Sequence, residues 1–290
     1  MTGPRIDLHS HSNASDGTEP PAGVARRAKA AGLDVFALTD HDTVSGLAEA
    51  GAEAARLGIT LIPGMELSCR RDGRAIHLLV YLFDPGHPEL AAECARIRDA
   101  RVGRARDIVD RLIGLDVPIT WDRVAALAGG GVVGRAHIAR AMVEVGVIDT
   151  VQDAFTPEWI GTGGRAHVTR YALDPAPAVR LARAAGGVPV LAHAWAPTRG
   201  GAMPAEWLAE LAEAGLFGVE ADHPQHDPAA RAELRGLAKE LGLAVTGSSD
   251  DHGEFTGHRL GCETTSPETL ERLIAEARGA SGPTTPERLS

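Results

Sequence analysis

The feature that most constrains this chain is a repeated alternation of short apolar runs with Ala-rich helical segments, separated by polar or Gly-containing turns. Apolar runs such as Val35 to Thr39 and Val188 to Ala192 have the length of buried strands rather than of helices. The helical segments have recognisable starts and stops, for example the prolines after Thr18 and the terminating Gly32. Strands that alternate with helices in this way predict parallel βα units and therefore an α/β fold.

The alternation is interrupted between about Arg98 and Arg165, where the sequence is helical without a convincing βα repeat. We therefore predict a discontinuous main domain formed by residues 1–98 and 166–278, and a mostly helical insertion, or cap, at residues 99–165. The final residues 279–290 are rich in Gly, Pro, Ser and Thr, and we predict that they are disordered.

Histidine or carboxylate side chains follow almost every predicted strand. His9 and His11 are two residues apart, so in an extended segment both imidazoles can face one ion. Asp250 and His252 repeat this spacing after the apolar run Leu243 to Thr246. The remaining candidates at or near strands are Asp16, His41, Glu66, His77 and His193. In a βα barrel the carboxyl ends of the strands converge on one face, so these nine residues predict a metal cluster there.

The number and type of these residues indicate more than one ion. A single catalytic zinc uses three protein ligands, whereas nine candidates suit two or three divalent ions with bridging carboxylates. The mixture of imidazoles and carboxylates, without a thiolate, is compatible with Mn, Zn or Fe and does not choose between them.

Charge and hydropathy exclude several classes of function. The formal net charge is −10, so the field of the whole protein repels a long polyanion, and we predict no extended nucleic-acid surface. A small phosphorylated substrate remains possible, because a site can be positive on an acidic protein. The N-terminus lacks the pattern of a signal peptide, and no apolar stretch is long enough to span a bilayer. We therefore expect a cytoplasmic protein without membrane contact.

The order and spacing of the candidate residues resemble the polymerase and histidinol phosphatase (PHP) family over about residues 4 to 275. The elements that match are the His-x-His of His9 and His11, the run Thr39 to Asp42, Glu66, His77, His193 and Asp250-x-His252. More narrowly, the chain resembles stand-alone bacterial PHP phosphoesterases, which act on AMP, 3′,5′-bisphosphonucleotides or short 5′-phosphorylated RNA. This resemblance implies a distorted (β/α)7 barrel with a helical insertion and a trinuclear metal centre.

Carried over residue by residue, the resemblance implies three groups of metal ligands, and all nine positions are filled. The implied groups are His9, His11, Glu66 and Asp250; Glu66, His77 and His193; and Asp16, His41 and His252. Because no ligand position departs from the pattern, we expect an active enzyme rather than an inactive relative.

Two further segments resemble the same branch and concern phosphate recognition. Arg135 and His137 lie at a predicted helix start, where a guanidinium and free N–H groups can bind one phosphate together. The family usually has Pro where this chain has Ala136. His223 is expected to bind phosphate or to protonate the leaving oxygen, and Glu220 is assigned to substrate binding with these residues.

The predicted reaction is hydrolysis of a phosphate monoester of AMP or a 3′,5′-bisphosphonucleotide by a metal-activated hydroxide. The residues assigned to catalysis are Glu66, Asp250, Arg135 and His223. Two alternatives stay open, a histidinol-phosphate phosphatase, which shares the metal motifs, and a 5′-3′ exonuclease that acts on short 5′-phosphorylated RNA.

Other classes fit the sequence less well. A metal-dependent amidohydrolase on a related barrel commonly carries a carboxylated lysine at a strand end, whereas Lys29 and Lys239 are the only lysines and lie in helical segments. A PHP-type module that only stabilises a polymerase is disfavoured because every ligand position is kept.

Overall fold

The computed structural model describes residues 3–129, 133–169, 171–197 and 201–284. Within these residues, seven strands and nine α-helices form an α/β fold. The strands are β1 (Ile6–Asp7), β2 (Val35–Leu38), β3 (Thr60–Arg71), β4 (Arg74–Tyr81), β5 (Val188–Leu191), β6 (Gly218–Asp222) and β7 (Ala244–Gly247). The helices are α1 (Pro21–Ala30), α2 (Leu47–Leu57), α3 (Pro88–Ile113), α4 (Trp121–Leu127), α5 (Arg135–Glu144), α6 (Pro175–Ala184), α7 (Ala205–Glu213), α8 (Pro228–Glu240) and α9 (Pro267–Glu276).

The strands form one sheet in the order in which they occur along the chain, and this sheet is nearly closed into a barrel. Beyond the ends of β1 and β7, Ser10 and Asp251 form a parallel bridge, and the N–H of His11 donates to the carbonyl of Asp251 at 2.9 Å. On the other side, the N–H of Thr265 donates to the carbonyl of Ile6 at 2.9 Å. The predicted distorted barrel of seven strands is confirmed.

One strand pair departs from the predicted parallel units. β4 is antiparallel to both β3 and β5, because β3 and β4 are joined directly as a hairpin. Its turn consists of Asp72 and Gly73, with φ values of 48° and 81°, which suit the Asp-Gly turns that connect hairpin strands. Glu66 and His77 therefore lie inside the two strands of this hairpin rather than beyond the end of a strand.

The barrel and its first helices are held by two buried apolar clusters. The first draws on strands β1 to β5 and β7 and includes Ile6, Ile62 and Leu79. In the second, the helices α1 and α2 pack against β2 and β3 through residues such as Val24 and Phe36. A fully buried Leu, Val or Phe side chain contributes about 1.5–3 kcal/mol, so these clusters stabilise the frame that carries the site.

The chain divides into two compact units, Met1–Cys94 with Ala172–Ser290, and Ala95–Tyr171. In its described residues the second unit is helical and contains no strand, and its own core includes Ile108, Leu112, Ile138 and Met142. Among the helices described, none is both long and apolar enough to cross a membrane.

Part of the predicted disordered tail is ordered. Thr284 pairs with Leu61 of β3, each N–H donating to the other residue's carbonyl at 2.9–3.1 Å. The N–H of Arg278 donates to the carbonyl of Gly186 at 2.7 Å, just before this segment. The predicted disorder therefore does not extend to residues 279–284, while residues 285–290 lie outside the described part of the chain.

Replacement of Gly186 by alanine should lower the free energy of unfolding by roughly 3 kcal/mol or more. Gly186 has a φ of 76°, and a Cβ placed on it would lie 2.4 Å from the backbone nitrogen of Gly279. The control is Gly58→Ala, because Gly58 has a similar φ of 69° but open space around it. That change should cost only the backbone term of about 1–2 kcal/mol. Urea denaturation measures the unfolding free energy of both variants. Equal losses of unfolding free energy would contradict the close packing of Gly279 against Gly186.

Candidate metal centre

The loops after the strands, together with the β3–β4 hairpin, bring the nine predicted ligands to one place. His9 and His11 follow β1, His41 follows β2, and His193 follows β5. The chain turns sharply at two of these positions, because His193 and Asp250 have φ values of 29° and 50°. Positive φ is uncommon for residues other than glycine, and such conformations concentrate at functional sites.

Four ligand atoms surround one point with the spacing of a tetrahedral metal site. Nε2 of His9 lies 3.0 Å from Nε2 of His11, and each of these nitrogens lies 3.2–3.4 Å from Oε2 of Glu66 and Oδ1 of Asp250. A tetrahedral site with metal–ligand bonds of about 2.0–2.1 Å has edges of about 3.3 Å. The four groups thus have the spacing that a divalent ion requires.

Glu66 is the common member of the cluster. Its Oε1 lies 2.6 Å from Nδ1 of His77 and 3.0 Å from Nε2 of His193. Its Oε2 lies 3.2 Å from Nδ1 of His41, in addition to its contacts with the first tetrahedron. A carboxylate with its two oxygens facing different sets of imidazoles has the geometry of a bridging ligand.

Asp16 joins a further group on the other side of His11. Its carboxylate oxygens lie 3.4 Å from Nε2 of His252, 3.6 Å from Nε2 of His41 and 3.7 Å from Nδ1 of His11. By proximity of ligand atoms, the structure forms three groups, which are His9, His11, Glu66 and Asp250; His11, Asp16, His41 and His252; and His41, Glu66 and His77. The first of these groups is the same as one that the family resemblance implies. In the third group His77 lies with His41, whereas the resemblance places it with His193.

The electrostatics of the cluster favour ionised carboxylates. Burial raises the pKa of Glu66, but His41, His77 and His9 outweigh this effect and hold it well below its usual range. Burial likewise raises the pKa of Asp250, but His9 outweighs burial and holds this pKa well below its usual range. Burial also disfavours protonation of His11, yet the neighbouring carboxylates raise its pKa to about 10. Protons on these imidazoles thus balance the carboxylates, and a bound cation would displace them.

Two buried atoms support the fit to a cation. Nδ1 of His11 and Oδ1 of Asp250 have no hydrogen-bond partner among the described residues. A buried polar atom without a partner costs about 1–3 kcal/mol, and an ion can satisfy such atoms. Nitrogen and oxygen donors without a thiolate suit Mn, Zn or Fe.

A surrounding layer of carboxylates fixes the loops that carry the ligands, and no role was predicted for it from sequence. Asp40 accepts hydrogen bonds from the N–H and hydroxyl of Ser12, at 2.8 and 2.7 Å. Asp42 binds the N–H and hydroxyl of Ser68 at 2.7 and 2.8 Å. Asp251 accepts from the N–H of Arg259 at 2.8 Å. Two sequence signals point to these residues: Asp40 and Asp42 belong to the run Thr39 to Asp42 that resembles the family, and Asp251 lies between two predicted ligands.

Glu220 lies beside the predicted ligands and contacts two of them. It is fully buried, and its two oxygens contact Nδ1 of His9 at 3.1 Å and the backbone N–H of His193 at 2.9 Å. Burial raises the pKa of Glu220, but His9 outweighs burial and lowers it to about 2. Both oxygens of Glu220 thus contact predicted ligands, and substrate binding by Glu220 stays a prediction that this geometry does not favour.

The other predicted substrate residues are placed as follows. His223 is fully buried, and its Nε2 lies 3.4 Å from Oδ2 of Asp250. Arg135 begins α5 in the second unit, with its guanidinium 5.2 Å from the ring centre of Phe155. Nδ1 of His137 accepts a hydrogen bond from the N–H of Gly134 at 3.0 Å, so this imidazole caps the start of α5. Phosphate binding by Arg135 and His137 stays a prediction.

His226 is a buried neutral histidine near the site, and it makes stability depend on pH. Its Nδ1–H donates to the carbonyl of Ala221 at 3.0 Å, and its Nε2 accepts from the N–H of Trp195 at 3.2 Å. Burial lowers the pKa of His226 below its ordinary value of 6.5. As the pH falls below about 6.5, the unfolded chain therefore takes up a proton that the folded chain does not, and stability is lost.

The expected result is that the wild-type protein loses more unfolding free energy between pH 7.5 and 5.5 than the His226→Gln variant does. Urea denaturation of both proteins in the presence of a chelator measures this difference without interference from metal binding. The same pH dependence in both proteins would show that His226 is not the group responsible.

Comparisons with known proteins agree with this geometry. The PHP domain family matches residues 7–110. A 5′-3′ exoribonuclease of Haemophilus influenzae is 36% identical over 248 residues, which cover 86% of this chain and 90% of the relative. A 3′,5′-nucleoside bisphosphate phosphatase of Chromobacterium violaceum is 31% identical over 255 residues, which cover 88% of this chain and 89% of the relative. A solved structure from Bifidobacterium adolescentis, assigned as a metal-dependent phosphoesterase, has a TM-score of 0.89 at 31% identity. The match covers 96% of this chain and 98% of that structure.

Proposed function

Because the chain belongs to the PHP family of metal-dependent phosphoesterases, we propose that it hydrolyses phosphate monoesters of small nucleotides, such as AMP or 3′,5′-nucleoside bisphosphates. The observation that carries this proposal is the tetrahedral set of His9, His11, Glu66 and Asp250, which is continuous with the other predicted ligands. The relative that acts on nucleoside bisphosphates shares 31% identity over most of both chains, which supports this substrate class.

The nine predicted ligands are proposed to hold two or three divalent ions, with Mn²⁺ as the first candidate. When bound, such ions supply positive charge for the phosphoryl oxygens and make water a nucleophile at neutral pH. Glu66 bridges the groups through its two oxygens, and the loop carboxylates Asp40, Asp42 and Asp251 keep the ligand-bearing loops in place.

His223 is proposed to donate a hydrogen bond or a proton to the substrate. Its Nδ1 accepts from the backbone N–H of Gln225 at 3.1 Å, so the hydrogen of the neutral imidazole is on Nε2. That nitrogen faces Asp250, one of the four tetrahedral ligands. A donor fixed in this direction can bind a phosphoryl oxygen or the leaving oxygen of the ester.

Arg135 is proposed to recognise a phosphate of the substrate. Gly134 is the N-cap of α5, and the first turn of that helix contains no acidic residue that would repel an anion. A guanidinium beside helix N–H groups suits a phosphate dianion. His137 has its Nδ1 engaged in the cap, so only its Nε2 is proposed to take part in phosphate binding.

A second candidate function is 5′-3′ exonuclease activity on short 5′-phosphorylated RNA. The exoribonuclease of Haemophilus influenzae is 36% identical over 86% of this chain, which favours this activity. Hydrolysis of a phosphodiester uses the same in-line attack on phosphorus, so the metal ligands do not distinguish the two reactions. Only rate measurements with both kinds of substrate can distinguish the phosphatase from the exonuclease.

The test is phosphate and nucleotide release by Mn²⁺-reconstituted protein from AMP, 3′,5′-bisphosphoadenosine, a 5′-phosphorylated RNA tetramer and histidinol phosphate. Phosphate release preferentially from AMP or the bisphosphate, weakened in Arg135→Ala but not in the control Arg140→Ala on the same helix, would support the proposal. Stepwise release of nucleotides from the tetramer at a higher rate would favour the exonuclease. Preference for histidinol phosphate, or no hydrolysis of any of the four compounds, would contradict both.

A further inference from the structure

Glu220 is a buried carboxylate that the proposed reaction does not use. It lies in β6, and each of its oxygens contacts a different strand end, Oε1 the imidazole of His9 and Oε2 the backbone of His193. The three residues are far apart in sequence, so the contacts exist only in the folded barrel. We propose that Glu220 is a positioning residue that holds His9 and His193 together in the geometry of metal ligands. This inference rests on the metal centre of the proposed function.

The first contact selects the tautomer of His9. A carboxylate accepts hydrogen bonds, so its Oε1 at 3.1 Å keeps the hydrogen of the neutral imidazole on Nδ1. Nε2 then presents its lone pair toward His11, Glu66 and Asp250. With the hydrogen on Nε2 instead, His9 could not ligate an ion at that position. Carboxylates behind metal-bound histidines are known to act in this way in other proteins.

The second contact holds an unusual backbone conformation. His193 has a φ of 29°, which is unfavourable for a residue with a side chain. Its N–H donates to Oε2 of Glu220 at 2.9 Å, and this bond stabilises the turn that directs the imidazole into the cluster. Nε2 of His193 reaches Oε1 of Glu66 at 3.0 Å from this position.

Through these two contacts Glu220 holds His9 and His193 side by side, and we call this arrangement of three residues the clamp. The rings of His9 and His193 are stacked, with centres 5.8 Å apart and planes inclined by 28°. Glu66 contacts both rings on the side of the cluster. Glu220 contacts the same two residues on the opposite side, through the ring of His9 and the backbone of His193. Displacement of one histidine therefore disturbs the other, and the ligand groups on either side of Glu66 are coupled.

Replacement by glutamine breaks one side of the clamp while keeping the size of the side chain. The single amide oxygen can accept from His9 or from His193, and the NH2 group then faces the other donor. Loss of such a supporting partner typically weakens metal binding by about 10–100-fold. The Glu220→Asp variant keeps the charge but is one methylene shorter, so it cannot span both contacts and should also bind more weakly.

The experiment is titration of metal-free full-length protein with Mn²⁺ by calorimetry, with circular dichroism to verify folding. The control is Tyr81→Phe, which removes another fully buried hydrogen bond, from the hydroxyl to the carbonyl of Leu8 at 2.9 Å. We expect weaker Mn²⁺ binding of about 10–100-fold in Glu220→Gln and affinity close to wild type in the control. In protein loaded with diamagnetic Zn²⁺, nitrogen-15 spectra of the histidine side chains should show the hydrogen of His9 on Nδ1, with a signal that changes in Glu220→Gln.

Unchanged Mn²⁺ affinity in Glu220→Gln and Glu220→Asp would overturn the proposal, as would an equal loss in Tyr81→Phe. If glutamine prevents folding, the aspartate variant decides by the same criterion. Metal binding is measured without substrate, so wild-type protein that binds Mn²⁺ but hydrolyses no phosphate ester would contradict the proposed reaction and leave the clamp standing. Failure of the wild-type protein to bind any Mn²⁺ would refute both.

Discussion

Glu66→Gln is expected to lower phosphate release from AMP by on the order of 10³-fold or more, because this carboxylate connects all parts of the cluster. Its oxygens lie within 3.3 Å of nitrogen atoms of His9, His11, His41, His77 and His193. An amide has only one acceptor oxygen and no charge, so the variant cannot bridge two groups or balance two ions. The barrel itself should persist, since Glu66 belongs to no apolar cluster that holds it together.

The measurement is kcat with saturating Mn²⁺, combined with circular dichroism of the metal-free protein. Glu53→Gln is a matched control, because Glu53 pairs with Arg26 and Arg56 in a helix away from the predicted ligands. This variant should turn over AMP at the wild-type rate. Turnover within tenfold of wild type in Glu66→Gln would rule out its bridging role. A loss of folding in the metal-free variant would show that Glu66 is needed for the barrel as well.

The positions of most candidate ligands could be predicted because they follow from local geometry. Side chains two residues apart in an extended segment share one face, as His9 and His11 do, and parallel strands bring their carboxyl ends to one edge. Glu66 and His77 were predicted as members of the site for a different reason than the structure shows. Glu66 lies in β3 opposite Leu79, and His77 lies in β4 opposite Ser68, within a hairpin whose two-residue Asp-Gly turn was not recognised in the sequence.

The supporting residues could not be assigned in the same way. Glu220 follows the same pattern as the ligands, a charged residue after an apolar run, yet its oxygens face an imidazole edge and a backbone N–H. Whether such a carboxylate faces an ion or a ligand depends on contacts between residues far apart in sequence. The imidazole of His137 likewise engages its own helix start, which a motif comparison with ligand-binding relatives does not reveal.

Removal of divalent ions is expected to lower hydrolysis by at least about 100-fold and to destabilise the fold at the same time. An ion that binds only the folded state adds about 4 kcal/mol when its free concentration is about 1,000 times its Kd. For a chain of this size this corresponds to roughly 10 °C in Tm. The destabilisation should be larger at pH 8 than at pH 6, because protons on histidines such as His11 compete with the ion.

Dialysis against a chelator, followed by thermal scans and rate measurements before and after Mn²⁺ is restored, tests this expectation. Glu66→Gln is the variant to compare in the same experiment. Because it lacks the bridging carboxylate, Mn²⁺ should raise its Tm much less than it raises the Tm of the wild type. Hydrolysis that survives chelation would contradict the metal-dependent mechanism. Recovery of activity without any rise in Tm would place the catalytic ions outside the buried cluster, because an ion bound among His9, His11, Glu66 and Asp250 binds residues that meet only in the folded barrel.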